Sequence, residues 1–136
     1  MINPTIAHDL AKNALVTAEK VVRSLIAMDA AISQAQNKLF VRERLSPESK
    51  YFTSRLPEEN RKAYNDLQAK RPARSVLVEG IEGIHAGVSF LYPQNRTVYQ
   101  NHGVRVVYRL EGKVVTRKKL LEALVAKLLD NSGPEA

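Results

Sequence analysis

The chain has 136 residues, a size that fits one domain with a real hydrophobic core. Its 44% hydrophobic and 26% charged content is that of a globular protein, and the lack of cysteine excludes disulfides, thiolate catalysis, Cys-based zinc sites and iron–sulfur clusters. The net charge of +7 is concentrated, with +4 over residues 40–75 and +6 over 94–119, which suits either a polyanionic partner or a solvated basic surface.

The start of the chain, Met1-Ile2-Asn3-Pro4, has neither the charged region nor the apolar run of a secretory signal. No apolar stretch approaches the ~18 residues that cross a bilayer. The expected compartment is therefore the cytoplasm, with no membrane contact. Asn95-Arg96-Thr97 matches a glycosylation sequon, which has no meaning there.

Asn3-Pro4 predicts a helix start, with Asn at the cap and Pro at the first helical position. The helix should run to about Phe40, because neither Gly nor Pro interrupts the chain before Pro47. Ala11, Ala14, Ala18, Val21, Leu25, Met28, Ile32, Ala35 and Leu39 are spaced alternately by three and four, a heptad seam. A helix of this length, ~55 Å at 1.5 Å per residue, is too long for a compact domain of this size. Its seam therefore needs a partner, either the chain's own later helices or a second copy. Val21, Leu25, Met28, Ile32 and Leu39 are the candidate interface of a homodimer.

Ser46-Pro47 and Pro57-Glu58-Glu59 read as two further helix starts. The first covers about 47–55 and is anchored by Tyr51 and Phe52. The second covers about 57–70 with Ala63, Tyr64 and Leu67 inward, until Arg71-Pro72 stops it. The basic residues of this region, Arg71 among them, are interleaved with Glu43, Glu48, Glu58 and Glu59 and read mostly as a salt-bridged surface.

From Ser75 the apolar period changes to two, punctuated by Gly80, Gly83 and Gly87. Val88, Phe90 and Tyr92 share one strand face. A further strand is expected at about 96–100, followed by Asn101-His102-Gly103. Val104, Val106, Tyr108 and Leu110 then oppose Arg105, Val107 and Arg109. Glu111-Gly112 turns a hairpin, with the inward choice between Val114 and Val115 left open. A last helix from Arg117 to about Asn131 carries Leu120, Leu121, Leu124, Val125 and Leu128, and Gly133-Pro134 ends it. The expected fold is α+β. One domain, 1–136, comprises a helical arm at 4–70 (seam 11–39) and a β-sheet plus C-terminal helix module at 76–131.

Val78-x-Gly80-Ile81-x-Gly83-Ile84-x-x-Gly87-Val88 and the later Val106-Val107-Tyr108-Arg109-Leu110-Glu111-Gly112-Lys113-Val114 resemble the C-terminal β-rich region of the FapA-like family (flagellar assembly protein A). The resemblance covers about residues 76–115. It implies an assembly or scaffold role and no enzyme.

Catalysis finds little support in the residues. His8, His85 and His102 have no metal-ligand spacing, and His85 reads as a packed histidine and His102 as a turn residue. The glycines at 80, 83 and 87 do not form a dinucleotide fingerprint, and no Walker loop or nucleophile elbow occurs. The expectation is a non-enzymatic protein with no cofactor and no metal.

The charge is most informative at Thr116-Arg117-Lys118-Lys119, a cap residue followed by three cations. Helix N-termini carry partial positive charge and favour acids, so this site invites an anion. Arg105, Arg109 and Lys113 lie close by in sequence, against the single acid Glu111. Arg105, Arg109, Lys113, Thr116, Arg117, Lys118 and Lys119 are therefore the candidate contacts to phosphate, with Tyr92, Tyr99 or His102 as stacking surfaces. Two readings stand side by side. One is a nucleic-acid-binding protein, for DNA or RNA. The other is an oligomeric adaptor, scaffold or inhibitor that takes an acidic protein through the coiled-coil arm and basic face.

Overall fold

The computed structural model describes residues 2–42, 56–92 and 104–132. The order is α1 (Pro4–Arg42), α2 (Glu58–Ala69), β1 (Ser75–Leu77), β2 (Ala86–Leu91), β3 (Arg105–Leu110), β4 (Lys113–Val115) and α3 (Arg117–Asn131). The class is α+β, a long N-terminal helix, two shorter helices and an antiparallel sheet of order β1-β2-β3-β4. The helix expected at 47–55, the strand at 96–100, the turn at 101–103 and the stop at 133–134 lie outside the described residues. Among the described residues, no helix is long and apolar enough to cross a membrane.

Local chemistry sets the helix starts. Asn3 Oδ1 accepts the Ile6 N–H at 2.8 Å, and Thr116 Oγ1 accepts the Lys119 N–H at 3.1 Å, each satisfying a donor the helix leaves open. Pro57 stands just before α2, whose first turn holds Glu58 and Glu59. The β3–β4 turn places Glu111 and Gly112 at φ 49° and 81°, the two left-handed residues that match the twist of a tight hairpin.

Two units divide the chain. The first contains Met1–Arg23, Arg74–Leu91 and Val106–Ala136, and the second Ser24–Ala73 and Tyr92–Arg105. In the first, Ala7, Ala11, Leu15, Ala18 and Val22 of α1 are buried, as are Val88 and Phe90 of β2 and Leu120 and Leu124 of α3. Strand pairing runs Val76 to Val88 and Leu77 to Gly87, then Tyr108 to Val115, Arg109 to Val114 and Leu110 to Lys113. Val115 thus shares the face of Tyr108 and is half-buried, while Val114 stands 62% exposed beside Arg109. His85, expected to be packed, is exposed just before β2, and its N–H donates to the Glu111 carboxylate at 2.9 Å.

In the second unit α1 changes character. Its buried positions are Asp29, Ser33, Gln36 and Phe40, with the Phe40 ring meeting Tyr64 of α2 edge-on at 5.7 Å. Ala63, Tyr64 and Leu67 are half-buried, the inward set that the sequence predicts for this helix.

Candidate basic face and outer stripe of α1

The α3 start has the geometry its sequence predicts, and one of its three cations is already engaged. Arg117 grips Glu19 of α1 with both arms of its guanidinium, Nε to Oε2 at 2.9 Å and Nη2 to Oε1 at 3.1 Å. The Tyr108 hydroxyl donates to the same carboxylate. The Arg117 guanidinium is the largest influence holding the Glu19 carboxyl below its ordinary pKa, while partial burial opposes it. Burial foremost, and then the Glu19 acceptor, push the Tyr108 phenol up. Arg117 is therefore a clasp between α1 and α3, neutralised where it stands.

Lys118 and Lys119 are exposed. Lys118 borders an open, mostly apolar groove of about 490 Å³, lined also by His8, Leu121, Glu122, Val125, Ala126 and Leu129. The strand cations divide. Arg109 pairs with Val114 and Lys113 with Leu110, so alternation puts Arg109 and Lys113 on opposite faces of the sheet. Arg105 opens β3 and is exposed. The six cations that crowd one stretch of sequence thus do not form one patch. Lys113, Lys118 and Lys119 remain about the β4–α3 junction, with Thr116 committed to its capping bond. Tyr92 is half-buried and donates its hydroxyl to buried Asp29, while Tyr99 and His102 lie outside the described residues.

The seam positions of α1 divide along the helix. Ala11 and Ala18 are buried in the core of the first unit. Val21 is 43% and Met28 50% exposed, while Leu25, Ile32, Ala35 and Leu39 are partly covered. The cause is the helical period. Buried Ala7, Ala18, Asp29 and Phe40 recur every eleven residues, close to the natural 3.6 per turn of a straight helix. A heptad stripe drifts from that line by ~20° per heptad, so over the four heptads from Ala11 to Leu39 it turns away by ~80°.

Beside Phe40, the inner positions of this half of α1 are polar. Arg71, read from sequence as a surface cation, reaches inward to Asp29 Oδ1 at 2.8 Å and Ser33 Oγ at 3.1 Å, and also to Gln36 Oε1. Its Nε donates to Gln68 Oε1 at 2.8 Å, and Gln36 Nε2 donates to the same oxygen at 2.9 Å. Asp29 is left 2% exposed and saturated by Arg71 and Tyr92. The signal was present as Asp29, Ser33 and Gln36 at helical spacing in an otherwise apolar run, which demands a buried donor from elsewhere in the chain.

No family model matches the chain, and neither a curated protein nor a solved structure matches it.

Proposed function

We propose that this chain is a non-enzymatic binding protein of the adaptor or scaffold kind, which self-associates through α1 and offers a basic junction to an acidic protein partner. One observation carries the reading: from Ser24 onward three of the buried positions of α1 are polar. Asp29, Ser33 and Gln36 face inward onto a guanidinium, while Met28 stands exposed and Leu25, Ile32 and Leu39 are only partly covered. Apolar surface arranged along a helix is the feature that association removes from water. The enclosed carboxylates, Asp29 and Glu19, are spent on ion pairs with arginine and hydrogen bonds with tyrosine, which suits a structural role. The resemblance of residues 76–115 to the FapA-like region implies a role of the same kind, and the cytoplasm remains the proposed compartment. Light scattering at micromolar concentration tests the reading: a dimer or larger species is expected, and a clean monomer refutes it.

Nucleic acid as the partner is favoured by a separate observation, the Thr116-capped α3 start with Lys118 and Lys119 exposed and no acid in its first turn. With Lys113 added, three cations are available, so log K against log salt should fall with a slope of about 2–3. Lys118→Gln with Lys119→Gln should flatten that slope by about 2 for every sequence alike. Equal binding of parent and variant to DNA and RNA removes this reading and leaves the acidic protein.

A further inference from the structure

The sheet has an open edge at β1. Pairing with β2 uses every second residue of the strand. Phe90 N–H donates to the Arg74 carbonyl at 2.9 Å and Val78 N–H to the Ala86 carbonyl at 2.9 Å, with Val76 opposite Val88 between them. Antiparallel bonding alternates, so the N–H and C=O of Ser75 and Leu77 point the other way, along an edge that no strand covers among the described residues. Beside that edge lies an open, mostly apolar groove of about 440 Å³ between α1 and β1, lined in part by Ala14, Thr17, Val21, Val76 and Leu77. Val21 is 43% and Leu77 54% exposed.

We propose that a second copy of the chain adds its own β1 to this edge, antiparallel about Val76, so that the two sheets continue as one. The proposal rests on the reading of the chain as self-associating and names the joint; Val21, already a candidate for the interface, lines the groove that the added strand borders. Backbone chemistry selects an extended segment. Outward N–H groups and carbonyls in line are matched by another strand, and not by a helix, whose backbone groups are bonded within itself. Charge then selects which strand. Arg74-Ser75-Val76-Leu77-Val78-Glu79 has a cation before β1 and an anion after it, both exposed, so an antiparallel copy brings Arg74 of each chain to the Glu79 end of the other. Length agrees with charge. Gly80, at φ 91°, ends the extended run, and a strand as short as β1 itself uses the outward groups without overrunning them.

The register follows from the same alternation. Outward residues must meet outward residues, which sets Ser75 of one copy against Leu77 of the other and the reverse. A two-fold dimer is isologous, so Val76 at the centre faces its own counterpart. That central pair is of the kind without mutual hydrogen bonds, whose Cα atoms lie about 4.5 Å apart. Side chains directly opposite share a face, so the added Val76 comes to the groove that the resident Val76 already lines.

Leu77→Pro tests the edge. The Leu77 N–H points away from β2, and proline is tolerated where a strand's N–H faces solvent, so the variant keeps the sheet and loses one outward donor in each copy. Leu77→Lys, at the same exposed position, carries the test where proline disturbs the strand. Each should weaken self-association in sedimentation about tenfold or more with unchanged circular dichroism. Glu79→Arg should weaken it about threefold, and adding Arg74→Glu to the same chain should restore it, a rescue that needs a partner carrying the same pair. Because the chain contains no cysteine, Val76→Cys reports only on its symmetry mate. Mild oxidation should link it into a dimer and leave Lys12→Cys, exposed on α1, unlinked, since a disulfide needs Cα atoms within about 7 Å. An oligomer that both Leu77 variants leave intact, that links no better at 76 than at 12, or whose loss in Glu79→Arg is not restored by Arg74→Glu overturns this joint while self-association stands. A monomeric parent overturns both.

Discussion

Replacing Arg71 with Met should be the most damaging single change in the second unit. The side chain it removes supplies donors to Asp29, Ser33, Gln36 and Gln68 at once. Ser33 and Gln36 lose hydrogen bonds from a charged donor, each worth about 1.5–3 kcal/mol net. Asp29 fares worse, because its side chain is only 2% exposed and water cannot replace the guanidinium. Breaking a buried pair by deleting one partner costs about 3–5 kcal/mol, and the surviving Tyr92 bond to Asp29 favours the lower end. About 3 kcal/mol is a large part of a total stability of about 5–15 kcal/mol.

Urea unfolding followed by circular dichroism reads this directly. With a slope of about 1–3 kcal/mol per molar, the midpoint should fall by about 1–3 M. A paired variant, Asp29→Leu with Arg71→Met, should recover the share of the loss due to the stranded carboxylate, since an apolar pair of similar volume often matches a buried ion pair, while the Ser33 and Gln36 bonds stay lost. A loss below about 1 kcal/mol for Arg71→Met alone would show a solvated surface pair and refute the argument. A double variant as unstable as the single one would show that packing, and not charge, governs the site.

The Glu19 clasp makes stability depend on pH. Because Arg117 lowers the folded pKa of Glu19, its contribution is complete above the ordinary value of 4.5 and is lost as pH falls through the depressed one, so Glu19→Gln should flatten the acid limb of urea midpoints. Tyr108 has the opposite sign: its raised pKa gives a contribution complete below 10.0 that is lost as pH rises through the folded value, so Tyr108→Phe should flatten the alkaline limb. Thr116→Ala removes the acceptor for the Lys119 N–H and should cost about 1 kcal/mol in the same urea assay, with no change expected in self-association.

What the sequence displayed and what it concealed divide along the distance between partners. The starts at Asn3-Pro4 and Thr116 and the Glu111-Gly112 turn are set by neighbours a few residues apart, and each is where the residues place it. The alternation expected of β3 is not expressed in its burial: Val106 is 41% exposed, and Val107, Tyr108, Arg109 and Leu110 are all half-buried. The basic face misled because linear crowding ignores alternation and distant acids. Two residues of turn put Lys113 on the other side of the sheet from Arg109, and Glu19, 98 residues away, takes up Arg117.

The same division explains α1. Apolarity alone picks out the heptad line through Val21, Leu25, Met28 and Ile32, because each of those residues gains by leaving water. Burial follows the eleven-residue line instead, which is the line a straight helix can keep against a fixed neighbour. In the first unit that line is apolar, and the two criteria agree at Ala11 and Ala18. In the second the buried positions are Asp29, Ser33, Gln36 and Phe40, and an arginine 42 residues from Asp29 makes the burial of the three polar ones tolerable. With Arg71 satisfying the inner line, the apolar line sits at its flank, where Leu25, Ile32 and Leu39 are partly covered and Val21 and Met28 exposed.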